Sequence, residues 1–378
     1  MTSSEDADPG LGDDLALEIR SFSLSLAATL ETAGGPIESR DGFLVRVYDR
    51  AATDGGGGDS ESGVPADAAV GYGEATPLAG WTESHDDCEA ALERARTAIR
   101  NDGPAAALAE VEEQVAARHA VSLALSDLQA SRAATPLYRH LGQESMIGRV
   151  RANATIGDAD PAETARLTRE AVERGFDCCK LKVGLRDIEG DVERVRSARE
   201  AVGDGVELRV DANEAWTYEE AERALEAFDD LEVSILEQPL PAGALEGHAA
   251  LRDVSGDVAV ALDEGLLEHG VDRICETGAA DVVVLKPMAL GGVDVAREVA
   301  AWVSEFGLTP LVTTTIDGVV ARTGAVHLAA AIPDVPACGL ATADLLSEDL
   351  GRDPVVFEKG AALVPQAKGI GVEGVWPA

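Results

Sequence analysis

Three carboxylates close three successive apolar stretches at one fixed interval: Asp211 in Leu-Arg-Val-Asp-Ala-Asn, Glu237 in Ile-Leu-Glu-Gln-Pro and Asp263 in Ala-Leu-Asp-Glu-Gly, each 26 residues after the last. Anions converging in a partly dry site repel one another unless a cation sits between them. All-oxygen ligation suits Mg²⁺, with Mn²⁺ as its substitute. Acids at strand ends also cap helices, but capping requires neither equal spacing nor a common level. The chain has only five lysines against 26 arginines, and Lys180 and Lys182 share the apolar stretch 178–183 with one residue between them. A third, Lys286, ends a similar stretch at 281–286. On a strand, a two-residue spacing puts Lys180 and Lys182 on one face. A neutral lysine beside a metal-bound carboxylate substrate can take the proton from its α-carbon, the metal stabilising the enediolate. Crowding by Mg²⁺ and the second lysine is expected to lower the base's pKa. The competing reading pairs these lysines with the acids as buried ion pairs and leaves no metal.

Other residues stand close to this set. Arg209 and Asn213 flank Asp211 at two-residue spacing and share its face, as substrate contacts or, by preference, as support for the acid. Thr313 and Thr315 offer hydroxyls to a substrate carboxylate, although threonine is also common in strands. Gly291-Gly292 suits a tight turn or a close approach to substrate. The histidines at 85, 119, 140, 248, 269 and 327 fall in expected helices or in the first part of the chain, which disfavours a histidine base.

The elements that must hold these residues change character near residue 147. Before it, strands are expected over 15–30, 42–48 and 69–74, then helical periodicity over 86–100 and 104–141, with Pro104 at a first helical turn. This predicts a three-stranded meander followed by helices, a small α+β domain over 14–146. Residues 1–13 read as a disordered N-terminus, and the glycine-rich stretch 54–62 as a solvated hairpin extension. After residue 147, strands at 149–156, 178–183, 206–211, 233–237, 258–263, 281–286, 309–314 and 336–341 alternate with helices at 161–174, 187–202, 217–229, 244–253, 267–277, 293–306 and 318–331. Continuous apolar runs suit parallel strands covered on both faces. Eight such units over 147–343 predict an α/β fold, a TIM-type (β/α) barrel, whose catalytic groups gather at the C-terminal mouth. In a ring of eight, Lys286 on the sixth strand lies opposite Lys180 and Lys182 on the second. A doubly wound sheet is the runner-up, without a Gly-x-Gly-x-x-Gly after the first strand. Residues 344–378 are turn-rich and are expected to return to the first domain.

Composition excludes several function classes. A net charge of −38, from 69 acidic against 31 basic residues, repels nucleic acid and anionic membranes. Acidic excess with few lysines predicts adaptation to high salt, an ordinary acidic protein being the alternative. Five cysteines without Cys-x-x-Cys spacing read as reduced and buried, and no run approaches a membrane span, which predicts a cytoplasmic protein. The expected partner is a small-molecule carboxylate; homo-oligomerisation is left open.

Lys180-x-Lys182, Asp211-Ala-Asn213, Glu237-Gln-Pro239, Asp263-Glu264 and Lys286-Pro287 with Gly291-Gly292 together resemble the enolase superfamily, muconate-lactonizing subgroup. The similarity spans nearly the whole chain, and the first domain resembles that family's capping domain through Arg40-Asp-Gly42 and the stretch 73–80. It implies a modified barrel with an α+β capping domain and Asp211, Glu237 and Asp263 as ligands of Mg²⁺. It also implies Lys182 as base, Lys180 as its tuning neighbour and Lys286 stabilising the enediolate from the far face. Gly73-Glu-x-x-Pro-Leu-x-Gly80 and the stretch 339–346 look most like the o-succinylbenzoate synthases, hydro-lyases of menaquinone biosynthesis. The implied reaction is syn dehydration of 2-succinyl-6-hydroxy-2,4-cyclohexadiene-1-carboxylate. N-succinylamino acid racemase, dipeptide epimerase and muconate cycloisomerase are the alternatives, and a catalytically silent binder a further one. The Asp-x-Asp that dipeptide epimerases usually carry at the eighth strand is missing from 340–344. The stretch 313–318 departs from the family's Ser-rich, Glu-containing pattern after the seventh.

Overall fold

The computed structural model describes residues 14–32, 35–50 and 68–376. The expected tail at 1–13 and hairpin extension at 54–62 lie outside them. Strands β1 (Leu15–Thr32), β2 (Gly35–Asp49) and β3 (Val70–Ala75) form an antiparallel sheet in that order, β1 bulging between Ser25 and Leu30. Helix α1 (His85–Asp102) starts at Ser84, whose side chain caps the Asp87 N–H. The single helical stretch expected over 104–141 is three helices: α2 (Pro104–Ala109), α3 (Val115–Arg132) and α4 (Leu137–His140). Pro136 ends the run, because a residue before proline avoids helical geometry, and Ala134 turns through φ 52°. Strand β3 lies on α3 so closely that a Cβ at Gly73 would come 1.9 Å from the Ala120 carbonyl oxygen.

The expected first barrel strand, 149–156, is two strands. β4 (Arg149–Arg151) joins a separate antiparallel sheet, while β5 (Ala154–Ile156) opens the parallel one. From there α5 (Pro161–Glu173), β6 (Cys178–Lys182), α6 (Ile188–Val202), β7 (Glu207–Asp211), α7 (Tyr218–Asp229) and β8 (Val233–Glu237) alternate. Next come α8 (Leu245–Val254), β9 (Ala259–Leu262), α9 (Glu264–Thr277), β10 (Val282–Leu285), α10 (Pro287–Leu290), α11 (Val293–Glu305), β11 (Thr309–Val312) and α12 (Val319–Ala331). Strands β5 to β11 make a seven-stranded parallel sheet in chain order.

The eighth strand expected at 336–341 is not a regular strand. Cys338 bridges Ala152 and Gly339 bridges Thr313, so the curled sheet reaches one short segment from both edges. A Cβ at Gly339 would lie 2.2 Å from the Thr313 hydroxyl, so only glycine allows this approach. No helix follows. Instead β12 (Phe357–Glu358) and β13 (Ala361–Leu363) pair with β4, and the chain returns to the first domain, with the Ile370 N–H on Asp127 and the Ser347 N–H on the Ser25 carbonyl. Inside the barrel, Ile235, Ala261, Val282, Val284 and Leu311 form an apolar plug. Strand alternation carries the same inward face on to Glu237, Asp263, Lys286 and Thr313 at the mouth. Among the described residues no helix is long and apolar enough to cross a membrane.

Candidate active site

Lys182, Asp211 and Glu237 stand side by side, since Lys182 pairs in register with Asp211 and Asp211 with Glu237. Asp263 is not level with them. Glu237 pairs with Ala261, so Asp263 stands two residues further on, just past the end of β9. Tilted, staggered barrel strands produce this offset, which equal sequence spacing does not reveal. Asp211, Glu237 and Asp263 are 1%, 2% and 3% exposed.

The lysines meet these acids directly. Lys180 Nζ lies 2.9 Å from Asp211 Oδ2 and 2.8 Å from Glu237 Oε1. Lys182 Nζ lies 2.7 Å from the same Asp211 oxygen and donates to Asn213 Oδ1. Across the mouth, Lys286 Nζ is 2.5 Å from Asp263 Oδ2 and 3.4 Å from the centroid of the Trp81 ring. The ion pairs of the competing reading are therefore present. They do not account for the whole site. With Glu264 there are four carboxylates for three ammoniums, and the buried Asp263 Oδ1 and Glu264 Oε2 have no hydrogen-bond partner among the described residues. Orphaned buried carboxylate oxygens cost free energy unless a cation takes them up. Among the described residues no three acidic, histidine or cysteine side chains already surround one point as a metal cage. The donor set nevertheless fits a hard cation, because every available ligand is oxygen.

Electrostatics separate the acids. Burial opposes ionisation of Asp211, but Lys180 and Lys182 outweigh it and hold its carboxyl far below the usual range. Burial likewise opposes charge on Lys180, yet Asp211 and Glu237 keep its pKa above the ordinary lysine value. Burial and then the Asp211 charge push Glu237 up to about 7. Burial also raises Asp263, against the pull of Lys286, and raises Glu264. The site thus holds one firmly ionised acid among others that carry charge reluctantly, which a bound cation would relieve.

The remaining expected residues divide. Asn213 belongs to the site: at φ 41° it takes the Lys182 ammonium on its oxygen and donates to Glu264 Oε1 at 3.1 Å, while its N–H caps Asp211 Oδ1. Arg209 does not touch Asp211. It lies one inward step deeper, bound to Glu207 at 2.6 Å and to the Ala337 carbonyl at 2.7 Å, and so braces the barrel floor. Thr313 and Thr315 do not offer free hydroxyls either, because the first donates to the Gly339 carbonyl and the second to Asp317. Glu264 and Trp81 were missed as site residues. Glu264 had a signal in its position beside Asp263, whereas no local pattern marks Trp81.

The family described as "Enolase C-terminal domain-like" matches residues 163–376. The L-Ala-D/L-Glu epimerase of Clostridium acetobutylicum is 32% identical over 262 residues, 68% of this chain and 72% of that protein. The o-succinylbenzoate synthase of Thermobifida fusca is 38% identical over 209 residues, 54% of this chain and 63% of that protein. The crystal structure of a dipeptide epimerase from Enterococcus faecalis, complexed with Mg and the dipeptide L-Leu-L-Tyr, superposes with a TM-score of 0.82 at 27% identity. It covers 95% of this chain and 99% of that one.

Proposed function

Because the chain belongs to the enolase superfamily, in its muconate-lactonizing subgroup, we propose that it removes the α-proton of a carboxylate substrate with Lys182 as base and Mg²⁺ as cofactor. The observation that carries this reading is the unequal placement of two lysines on one strand. Lys180 has a side chain only 14% exposed and is wedged between two carboxylates, whereas that of Lys182 is 36% exposed at the rim. A fixed, buried ammonium tunes and orients; the one that substrate can reach exchanges the proton. Asp211, Glu237 and Asp263 would hold Mg²⁺, with Mn²⁺ as the substitute. When bound, the ion supplies electrostatic stabilisation of negative charge developing on the substrate carboxylate.

Within the subgroup, the first reading is o-succinylbenzoate synthase. Lys182 takes the proton at C1 of 2-succinyl-6-hydroxy-2,4-cyclohexadiene-1-carboxylate and returns it to the departing C6 hydroxide on the same face. The C1–H and C6–O bonds break, the C1–C6 double bond completes the aromatic ring, and water leaves. One base suffices for this. Lys286, held between Asp263 and Trp81, suits a stationary charge on the other face, and the stretch 340–344 has only the single carboxylate of Asp344 in place of a pair to receive a dipeptide's ammonium. The second reading is dipeptide epimerase, favoured by the coverage of the epimerase relatives; it requires Lys286 to act as a second base. Formation of o-succinylbenzoate, abolished by chelator and restored by Mg²⁺, is the direct test. Rapid exchange of the α-hydrogen of L-Ala-L-Glu in D₂O, with no o-succinylbenzoate formed, would transfer the assignment to the epimerase. Lys182→Ala should end turnover and leave Mg²⁺ binding measurable by calorimetry; substantial residual turnover refutes the assignment of the base.

A further inference from the structure

Trp81 belongs to the first domain, yet its ring lies 3.4 Å from the ammonium of Lys286, a barrel residue 205 positions later in the chain. The loop that carries it is tightly closed. The Trp81 and Thr82 N–H groups both donate to the Leu78 carbonyl at 2.9 Å, and the Thr82 hydroxyl accepts from the Leu78 N–H at 2.8 Å. Both ends of the loop are anchored. Before it, Arg40 donates to the Thr76 and Pro77 carbonyls and also to the barrel's Ile316 carbonyl. After it, the Glu83 carboxylate accepts the Ala116 and Ala117 N–H groups at the start of α3.

The same helix holds the Lys286 side. Arg118 of α3 donates to the Gly291 carbonyl at 2.6 Å and to Asp294, just beyond α10, the short helix that Lys286 precedes. Met288 of α10 is buried in the first domain's core. Ring and ammonium thus stand on backbone segments that are both tied to the same helix, α3.

We infer that Trp81 is a positioning residue that fixes Lys286 on the far wall of the mouth, so that the proton of the substrate moves on the Lys182 face alone. This deepens the proposed function and rests on it for the word substrate, but the contact itself does not. An ammonium over an indole face is attracted by the ring quadrupole, most strongly for tryptophan among the aromatic residues. Together with Asp263, the ring leaves Lys286 held from two sides, with a side chain only 14% exposed.

The test uses the scarcity of lysine. With five lysines in the chain, reductive methylation of the metal-free protein can be followed residue by residue by peptide mass spectrometry, the exposed Lys359 and Lys368 serving as internal controls. Trp81→Leu should speed methylation of Lys286 roughly fivefold, the factor implied by loss of an ordinary cation–π contact, with both controls unchanged. Trp81→Phe, which keeps a weaker ring, should fall between the two and guards against misfolding of the leucine variant. An unchanged Lys286 rate in a folded Trp81→Leu protein overturns the inference. In turnover, the leucine variant should lose kcat with little change in KM, and should gain exchange of the α-hydrogen with solvent on the second face. If no form of the enzyme makes o-succinylbenzoate yet Lys286 responds as described, the positioning role stands and the dehydratase reading fails.

Discussion

Glu74 ties the two parts of the molecule together, and its protonation should be visible in stability. Its carboxylate, fully buried on β3, accepts the Gly318 and Ala321 N–H groups at the start of α12, 2.7 and 3.0 Å away, together with the Thr76 hydroxyl. Burial, and then the charge of Asp317, push its pKa from the ordinary 4.5 to about 7, against the pull of those donors. A carboxyl whose folded pKa lies above its unfolded value stabilises the fold fully below the unfolded pKa, and that contribution is lost as pH rises through the folded one. At about 1.4 kcal/mol per unit, the loss between roughly pH 5.5 and pH 8 comes to about 2 kcal/mol. Glu74→Gln removes the titration. The amide leaves one of the two backbone N–H groups facing an NH₂, a penalty that does not change with pH. Urea unfolding of both proteins across this range should therefore give stability curves that converge by about 2 kcal/mol in favour of the variant at the alkaline end. Parallel curves would refute the buried-carboxylate reasoning, whatever their separation.

The other expectations are simpler. Arg194 and Asp191, 0% and 1% exposed and 2.9 Å apart, form a buried pair whose arginine also holds the Lys182 carbonyl. Arg194→Met should cost about 3–5 kcal/mol in denaturant unfolding, because the buried Asp191 loses its countercharge and keeps only the Gly184 N–H as a partner among the described residues. Gly73→Ala drives a methyl into the Ala120 carbonyl at 1.9 Å and should destabilise by about 3 kcal/mol or more, read from the shift in the denaturation midpoint. With a net charge of −38, we propose salt adaptation: Tm should rise as KCl goes from about 0.1 M to about 1 M, shortening the screening length from ~10 to ~3 Å. A flat or falling Tm would remove it.

Much of the barrel is legible because parallel strands covered on both faces must be continuously apolar, and polar residues at their ends then stand out against that background. Lys180, Lys182, Asp211, Glu237, Asp263 and Lys286 are visible for this reason. What is not legible depends on partners far away. Strand 149–156 splits because β4 prefers β13, some 210 residues later, and no local pattern announces that choice. The eighth segment is held by two single bridges rather than a ladder, at one of which Gly339 lets Thr313 approach. Arg209 turns away from Asp211 to Glu207, two residues before it on the same face, a pairing that the sequence spacing itself allows. Thr315 and Asp317 form a similar local pair. Trp81 reaches Lys286 only through the docking of two domains, which periodicity cannot encode.

The return of the C-terminal segment to the first domain sets an order of events during synthesis. Asp127 receives the Ile370 N–H at 2.7 Å, the Gly369 carbonyl receives the Leu137 N–H, and Leu346 bridges Leu26. The domain made first thus waits on residues the ribosome delivers more than two hundred positions later. Until they arrive, β1 lacks its bridge to Leu346, and the curled sheet lacks the segment that both its edges reach. Domain-by-domain folding from the N-terminus, the common course for chains of this size, is therefore blocked short of completion here. The nascent chain should hold an exposed half-barrel edge until residues 338–370 have emerged, and that interval is when a chaperone, or a neighbouring nascent chain, has its access.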